Sequence, residues 1–275
     1  MSDEITPSAG WRTDRTTDRT TDRTTDRLNR QTDIARAAAL IADPSRARIL
    51  KALCDGRALP AGALAAEAGV GAPTVSAHLA KLVEGGLITA VRDGRHRYYR
   101  LRGPEVSTAL EALALIAPPL PVTSLRESSV TNALYRSRTC YDHLAGRLGV
   151  ALMRALLDGG VLTGHDGSHR PEHAVRDRPS AYGHDTVYRL TDTGRGDLLA
   201  FGVDPDRLPK RRPAIRYCVD WSERRHHLAG ALGAAITARL FGLGWLRYGV
   251  SLRVVRLTEG GAEGLRQAFG LIAEG

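Results

Sequence analysis

The sequence predicts a chain that is mainly α with small β-hairpins (α+β), built as one helical unit followed by a second unit made of two related halves. Three observations carry this. Dense helical periodicity with capping residues runs from about Asp33. An arginine-rich segment that alternates and turns, "LITAVRDGRHRYYRLR", follows it. Finally, "HLAGRLGVA" at His143 returns as "HLAGALGAA" at His227, 84 residues later.

The elements follow in order. Residues 13–27 read "TDRTTDRTTDRTTDR", nearly free of apolar residues and balanced in charge, so residues 1–32 are expected to be a disordered tail. "TDIARAAALIA" predicts a short Ala-rich helix. In "DPSRARILKALCDG", Asp43 is placed to cap a helix, Pro44 sits at its first position and Gly56 stops it. Ile49, Leu50 and Leu53 form its apolar stripe, and Cys54 reads as a small buried thiol.

Two further short helices joined at "GVG" give a helix-turn-helix layout. In the second, Val75, Leu79 and Leu82 recur at i, i+4 and i+7 and should point inward. That leaves Thr74, Ser76, Ala77, His78 and Lys81 on or beside the outer face. Short polar groups there suit base edges, and a lysine suits a phosphate. Strands predicted around "DGRH" form a two-stranded wing carrying Arg92, Arg95, His96 and Arg97. Five arginines against Asp93 give +4 over residues 92–102. A basic wing beside a recognition-type helix points to double-stranded DNA as the partner.

"DPSRARILKAL", "VSAHLAKLVEGGLI" and "RDGRHRYYRL" together resemble the arsenic-repressor (ArsR/SmtB) family of bacterial winged helix-turn-helix regulators, over residues 33–117. The resemblance implies a homodimeric repressor that leaves its operator when an effector binds. It also implies that "PEVSTALEALALIAP" is the helix that pairs with its twin, through Val106, Leu110, Leu113 and Ala117. Two departures stand out. The family's soft-metal sensors carry paired cysteines before the recognition helix, where this chain has "RALPAGALAAEAG". Its zinc-type members place Asp and His on the last helix, where this chain has neither.

Three prolines in "APPLPVTSLRESS" mark a linker over residues 118–137, and residues 138–275 are read as a duplicated effector domain. Each half reads as an amphipathic helix, a hairpin and a closing helix. Leu144, Leu148, Leu152 and Leu156 make one apolar stripe, and Leu228, Leu232, Ile236 and Leu240 the other. The first hairpin is longer by 17 residues, in the His-containing loop 163–186 that holds His165, His169, His173 and His184. That loop is interrupted by Gly and Pro and is read as an insertion without a site. Helix, hairpin and helix also form the latter part of a winged helix, so the domain is expected to be two winged-helix-like pseudo-repeats around a ligand cleft.

For the effector, a small organic molecule is the favoured expectation. Taking His227 as the start of a helix lines it up with Ala231, Ala234 and Ala238. Trp221, Glu223, Arg224 and Trp245 are expected around it. The alternative is a metal- or thiol-redox-sensing site of Cys140, His143, Cys218 and His227, since two Cys and two His suit tetrahedral zinc. The Cys–His separations, 3 and 9 residues, differ from each other and from short zinc-finger pairs. The bland reading therefore makes the cysteines core residues and the histidines hydrogen-bonding groups at helix starts. No metal or cofactor is favoured. An enzyme fused to a DNA-binding module is a third reading, but no Gly-rich nucleophile turn accompanies Cys140 or Cys218, so no catalytic residue is assigned.

The bulk properties fit. At 275 residues and net charge +9, with only Lys51, Lys81 and Lys210 as lysines, the chain is basic through arginine. Three cysteines are too few for a disulfide framework. No apolar run approaches the roughly 20 residues of a membrane span, and the first residues lack a secretory pattern, so a cytoplasmic protein without membrane partners is expected.

Overall fold

In the computed structural model the described residues are 32–118, 125–170, 188–249 and 253–272. From Ala39 onward the described residues belong to one compact unit. The repeat tail lies outside the described residues, as do His173 and His184 and most of the loop 163–186.

Helix α1 (Ile34–Ile41) precedes α2 (Pro44–Ala52), whose cap is as expected: the Asp43 carboxylate accepts the Arg46 N–H at 2.9 Å. A short strand β1 (Leu59–Pro60), helix α3 (Ala61–Ala68) and helix α4 (Ala72–Glu84) complete the helix-turn-helix. Strands β2 (Ile88–Asp93) and β3 (His96–Leu101) form the wing, with Asp93 opposite His96 and β1 added on the far side of β3. One apolar core joins Ile49, Leu50, Leu53, Leu64, Val75, Leu79, Leu82 and Ile88.

Helix α5 (Pro104–Ile116) follows. Its inward face is Val106, Ser107, Glu111 and Leu115. Leu113 is 43% exposed and Ile116 81%. The stripe expected to meet a twin is therefore split: Val106 is buried within this chain, while Leu113 and Ala117 remain open. The stretch read as a linker contains a helix, α6 (Leu125–Arg136), and residues 119–124 lie outside the described part.

From Arg138 the same string of elements runs twice. The first half is hairpin β4 (Arg138–Cys140) and β5 (His143–Ala145), helix α7 (Gly146–Asp158), strands β6 (Leu162–Gly164) and β7 (Tyr188–Leu190), and helix α8 (Asp192–Phe201). The second is β8 (Arg216–Val219) and β9 (His226–Ala229), α9 (Gly230–Gly242), β10 (Leu246–Tyr248) and β11 (Val255–Leu257), and α10 (Glu259–Phe269). The equivalence reaches individual bonds. Thr191 Oγ1 accepts the Gly194 N–H and donates to the Gly160 carbonyl; Thr258 Oγ1 does the same with Gly261 and Gly244. Leu162 pairs with Leu190 and Leu246 with Leu257.

The sequence reading missed the leading hairpins. His143 and His227 do not start helices. They lie in strands, and each helix begins three residues later at a glycine, Gly146 (φ 75°) or Gly230 (φ 81°), in the left-handed region open to glycine. The helix-face alignments built on these histidines therefore do not hold. The halves are interlocked, with α7 packing on β9 of the other half and α9 on β5. Their stripes, from Leu144 to Leu156 and from Leu228 to Leu240, close one shared core.

Candidate functional site

Helix α4 and the wing form the first candidate surface. Thr74, Ser76, Ala77 and Lys81 are exposed on α4, and His78 is half-buried with Nδ1 3.9 Å from Asp43. On the wing Arg92, Arg95, His96 and Arg97 are all exposed, and Arg97 lies over the Tyr99 ring at 5.2 Å. Arg92 and Arg97 are directly opposite across the hairpin, so two arginines share one face of the wing. Like charges opposite one another destabilise an isolated hairpin, so their use lies in what they face.

The second candidate is buried. Cys140 pairs with His143 across β4–β5, and Cys218 with His227 across β8–β9. The unequal spacings are thus two hairpin loops of different length, two residues in one and the six residues "DWSERR" in the other. Because β5 and β9 are neighbours, the two pairs converge. One ligand atom from each of Cys140, His143, Cys218 and His227 lies within 4.8 Å of all the others, and the imidazoles stack at 5.2 Å. His227 is fully buried and His143 and Cys140 nearly so; Cys218 is partly exposed.

Two glycines stand where the halves meet. A Cβ on Gly149 of α7 would sit 3.7 Å from His227 Cβ, and one on Gly233 of α9 would sit 3.4 Å from His143 Cβ. Both would also run into backbone, at 2.5 Å from the Leu144 oxygen and 2.6 Å from that of Leu228.

Carboxylates stand behind the rings. His143 Nδ1–H donates to Asp142 Oδ1 at 3.3 Å, and His227 Nδ1 lies 3.7 Å from Asp220 Oδ2. Burial pushes the Asp142 carboxyl up, but hydrogen bonds from His143 and Arg212 outweigh it and hold it at about 2. Burial likewise works against ionised Asp220. The Arg138 guanidinium at 2.9 Å and the Ser222 and Gly146 donors hold it well below the usual carboxylate range. His143 is pushed down by burial and lifted by Cys140 and Asp142 to about 9. Burial keeps His227 neutral, and the neighbouring His143 and Arg138 charges reinforce this against Asp220. The Cys140 thiol is raised well above its ordinary value by its hydrogen bond with Cys218 and by burial. His143 Nε2 and both ring nitrogens of His227 have no hydrogen-bond partner among the described residues.

A cavity of 310 Å³ leads to the cluster, lined by Cys140, His143 and Cys218 with Ser107 and Thr108 of α5 and Arg212 and Arg216 at its rim. The residues expected to form an organic-effector site are dispersed. Trp221 packs on Tyr135 at 5.3 Å and on Arg138. Trp245 packs on Phe201 at 5.7 Å and against α10, Arg224 donates to the Leu115 carbonyl at 3.0 Å, and Glu223 only turns back on Asp220. A different cavity of 830 Å³ lies between α6, α7 and the β11–α10 junction, lined by Arg136, Arg147, Leu148, Val255, Thr258 and Ile272 among others. His226 is buried among rings: His165 stacks on it at 4.9 Å and Tyr217 at 4.0 Å, and the Tyr188 hydroxyl is hydrogen-bonded to it at 2.6 Å. Cys54 stands apart from the cluster, its thiol pushed up to about 12 by burial.

The helix-turn-helix with an exposed basic wing defines a DNA-binding regulator. A helix-turn-helix domain model matches residues 41–91. The chain is 39% identical over 230 residues to the HTH-type transcriptional regulator YdfF of Bacillus subtilis, covering 83% of this chain and 93% of that one. It is 40% identical over 87 residues to the HTH-type transcriptional regulator CmtR of Mycobacterium tuberculosis, 32% of this chain and 73% of that one. Among solved structures, the homodimeric winged helix-turn-helix domain of Mb0332 from Mycobacterium bovis, a possible ArsR-family regulator, matches 37% of this chain and 88% of its own at 27% identity and TM-score 0.28. The chain belongs to the HTH-type transcriptional regulators of the ArsR/SmtB type. Among the described residues no helix is long and apolar enough to cross a membrane.

Proposed function

We propose that this regulator is a homodimeric repressor whose hold on operator DNA is set by a ligand in the duplicated domain. The observation that carries the reading is the joint between that domain and the helix-turn-helix. The Tyr141 N–H, at the tip of the β4–β5 hairpin, donates to the Cys54 carbonyl at the end of α2. Arg253, preceding β11, pairs with Glu111 of α5 at 2.6 Å and also donates to the Thr139 carbonyl in β4. Thr139 and Tyr141 flank Cys140. A ligand that moved the cluster would therefore pull on α2 and α5 at once, and only a ligand preferring one arrangement could shift DNA affinity.

The exposed α5 stripe of Ala109, Leu113 and Ile116, at i, i+4 and i+7, supports pairing with a second copy. A second effector reading, a small organic molecule, is favoured by the 830 Å³ cavity, which lies within the usual size of ligand pockets. No catalytic step belongs to either reading. Selection from random duplex DNA tests the core proposal. A palindrome with half-sites about one helical turn apart supports a homodimer reading DNA through α4; a single asymmetric site would overturn it. Arg95→Ala or Arg97→Ala should then lower affinity for all sequences and reduce the salt slope by about 1 each.

A further inference from the structure

We infer that Cys140, His143, Cys218 and His227 form a tetrahedral site for a thiophilic divalent cation of the zinc class, built across the two halves of the duplicated domain. Four ligand atoms within 4.8 Å of one another, two sulfurs and two imidazole nitrogens, are the donor set and count that tetrahedral zinc takes. The unpartnered ring nitrogens are the independent sign. A buried imidazole ordinarily finds hydrogen bonds for its polar atoms, yet His143 Nε2 and both nitrogens of His227 have none among the described residues.

Asp142 supplies the carboxylate support that metal-bound histidines commonly carry, while Asp220 stands 3.7 Å from His227 Nδ1, outside hydrogen-bond reach. With Nδ1–H of His143 held by Asp142, Nε2 is left to ligate. The 310 Å³ cavity at Cys218 provides the way in. Its rim is basic, with Arg212 and Arg216, so the site must neutralise an incoming cation with its own charge. It does so by proton release: each thiol gives up its proton as a sulfur–metal bond forms, the His143 imidazolium loses its Nε2 proton to solvent as that nitrogen binds, and a dication with two thiolates and two neutral imidazoles has no net charge. Arg212 is in any case engaged by Asp142 at 2.5 Å.

This location is distinct from both metal sites that the ArsR/SmtB resemblance would lead one to look for. It lies between the two halves, so the ion would clamp two hairpins that are bonded to different helices, the first to the end of α2 through Tyr141 and the second to α5 through Arg224. The coordination itself stands independently of the proposed function; that the ion changes DNA affinity rests on that reading.

The test is titration of the reduced, metal-free full chain with Co²⁺ and then Zn²⁺, read by absorption and native mass spectrometry. One ion per chain is expected, with the intense visible bands of tetrahedral Co²⁺ and a thiolate charge-transfer band, both displaced by Zn²⁺. Cys140→Ser and His227→Gln should abolish the spectrum, and Cys54→Ser should retain it. Asp142→Asn should weaken affinity roughly 10–100-fold with the spectrum unchanged in form. Circular dichroism checks that each variant folds. Weak octahedral Co²⁺ bands, no stoichiometric ion, or a spectrum indifferent to Cys140→Ser would overturn the site, as would a Cys140–Cys218 disulfide that persists under mild thiol reductant. Zinc bound stoichiometrically with DNA affinity unchanged would leave the site standing and overturn its regulatory use.

Discussion

Glu111 and Arg253 offer a sharp test of how the two parts of the molecule are joined. Glu111 is 6% exposed and Arg253 4%, with 2.6 Å between Oε1 and Nη2, and Glu111 Oε2 has no partner among the described residues. Burial works against charge on Arg253, but Glu111 beside it favours the ion and raises its pKa. Glu111→Gln keeps the shape and removes the charge, leaving a buried guanidinium uncompensated, which costs about 3–5 kcal/mol. Folded proteins hold only about 5–15 kcal/mol, and in a unit of this size each kcal/mol moves Tm by roughly 2–4 °C, so a drop of about 6–20 °C is expected. The double replacement Glu111→Leu with Arg253→Met should fall within about 1 kcal/mol of the parent, because an apolar pair avoids the desolvation cost. Urea unfolding of the parent, both singles and the double gives the coupling energy directly. Singles costing under about 1 kcal/mol, or a double equal to their sum, would mean that the pair is solvated and does not join the domains.

Other expectations are as direct. Gly149→Ala should destabilise by about 1–3 kcal/mol, because its Cβ meets a backbone oxygen at 2.5 Å, whereas Gly196→Ala on open helix surface should stabilise by about 0.5–1 kcal/mol; equal effects in thermal melts would refute the packing argument. Leu113→Glu should convert a dimer to monomer in light scattering, and an unchanged mass would remove α5 as the twin interface. Asp142 has its folded pKa lowered from 3.8 to about 2, so its contribution to stability is complete above about pH 4 and lost as pH falls towards 2. Its side chain is 31% exposed, so solvent reduces the roughly 2 kcal/mol ceiling to about 1 kcal/mol. The stability gap between parent and Asp142→Asn should accordingly shrink between pH 5 and 2.5 in urea unfolding.

The helix-turn-helix was legible because its signals are local: the Asp43 cap, the Val75, Leu79 and Leu82 spacing and the turn before His96 each act within a few residues. The duplication was legible too, since the "HLAG" string and the leucine stripe recur 84 residues apart, and the hairpins that follow pair alike, Leu162 with Leu190 and Leu246 with Leu257. The cluster was weighed and set aside, for a physical reason. Its 3- and 9-residue spacings look unrelated until both are recognised as cross-strand pairs closed by different turns. Three-residue strands are too short for an alternating pattern, and the glycines at 146 and 230 that end them were absorbed into the apparent helices. The Trp221 to Trp245 neighbourhood was inferred along a helix that begins at Gly230 and not at His227, and in the structure Trp221 packs on Tyr135 while Trp245 packs on Phe201.

The duplication also explains how a site at its centre could act on one end. Two copies related by a pseudo-two-fold present their cysteines and histidines symmetrically, yet what surrounds them is not symmetric. The first hairpin turns tightly at Tyr141, held at φ 58° against the Cys54 carbonyl, while the second is lengthened and reaches Leu115 of α5 through Arg224, itself at φ 54°. A contraction at the shared centre would draw both hairpins inward, but their tips rest on different helices, α5 and the end of α2. Equal movements at the centre would therefore become a rotation of α2 against α5. Since α2 is packed with α4 in one core and α5 carries the free apolar stripe, that rotation would change how two recognition helices are spaced on DNA.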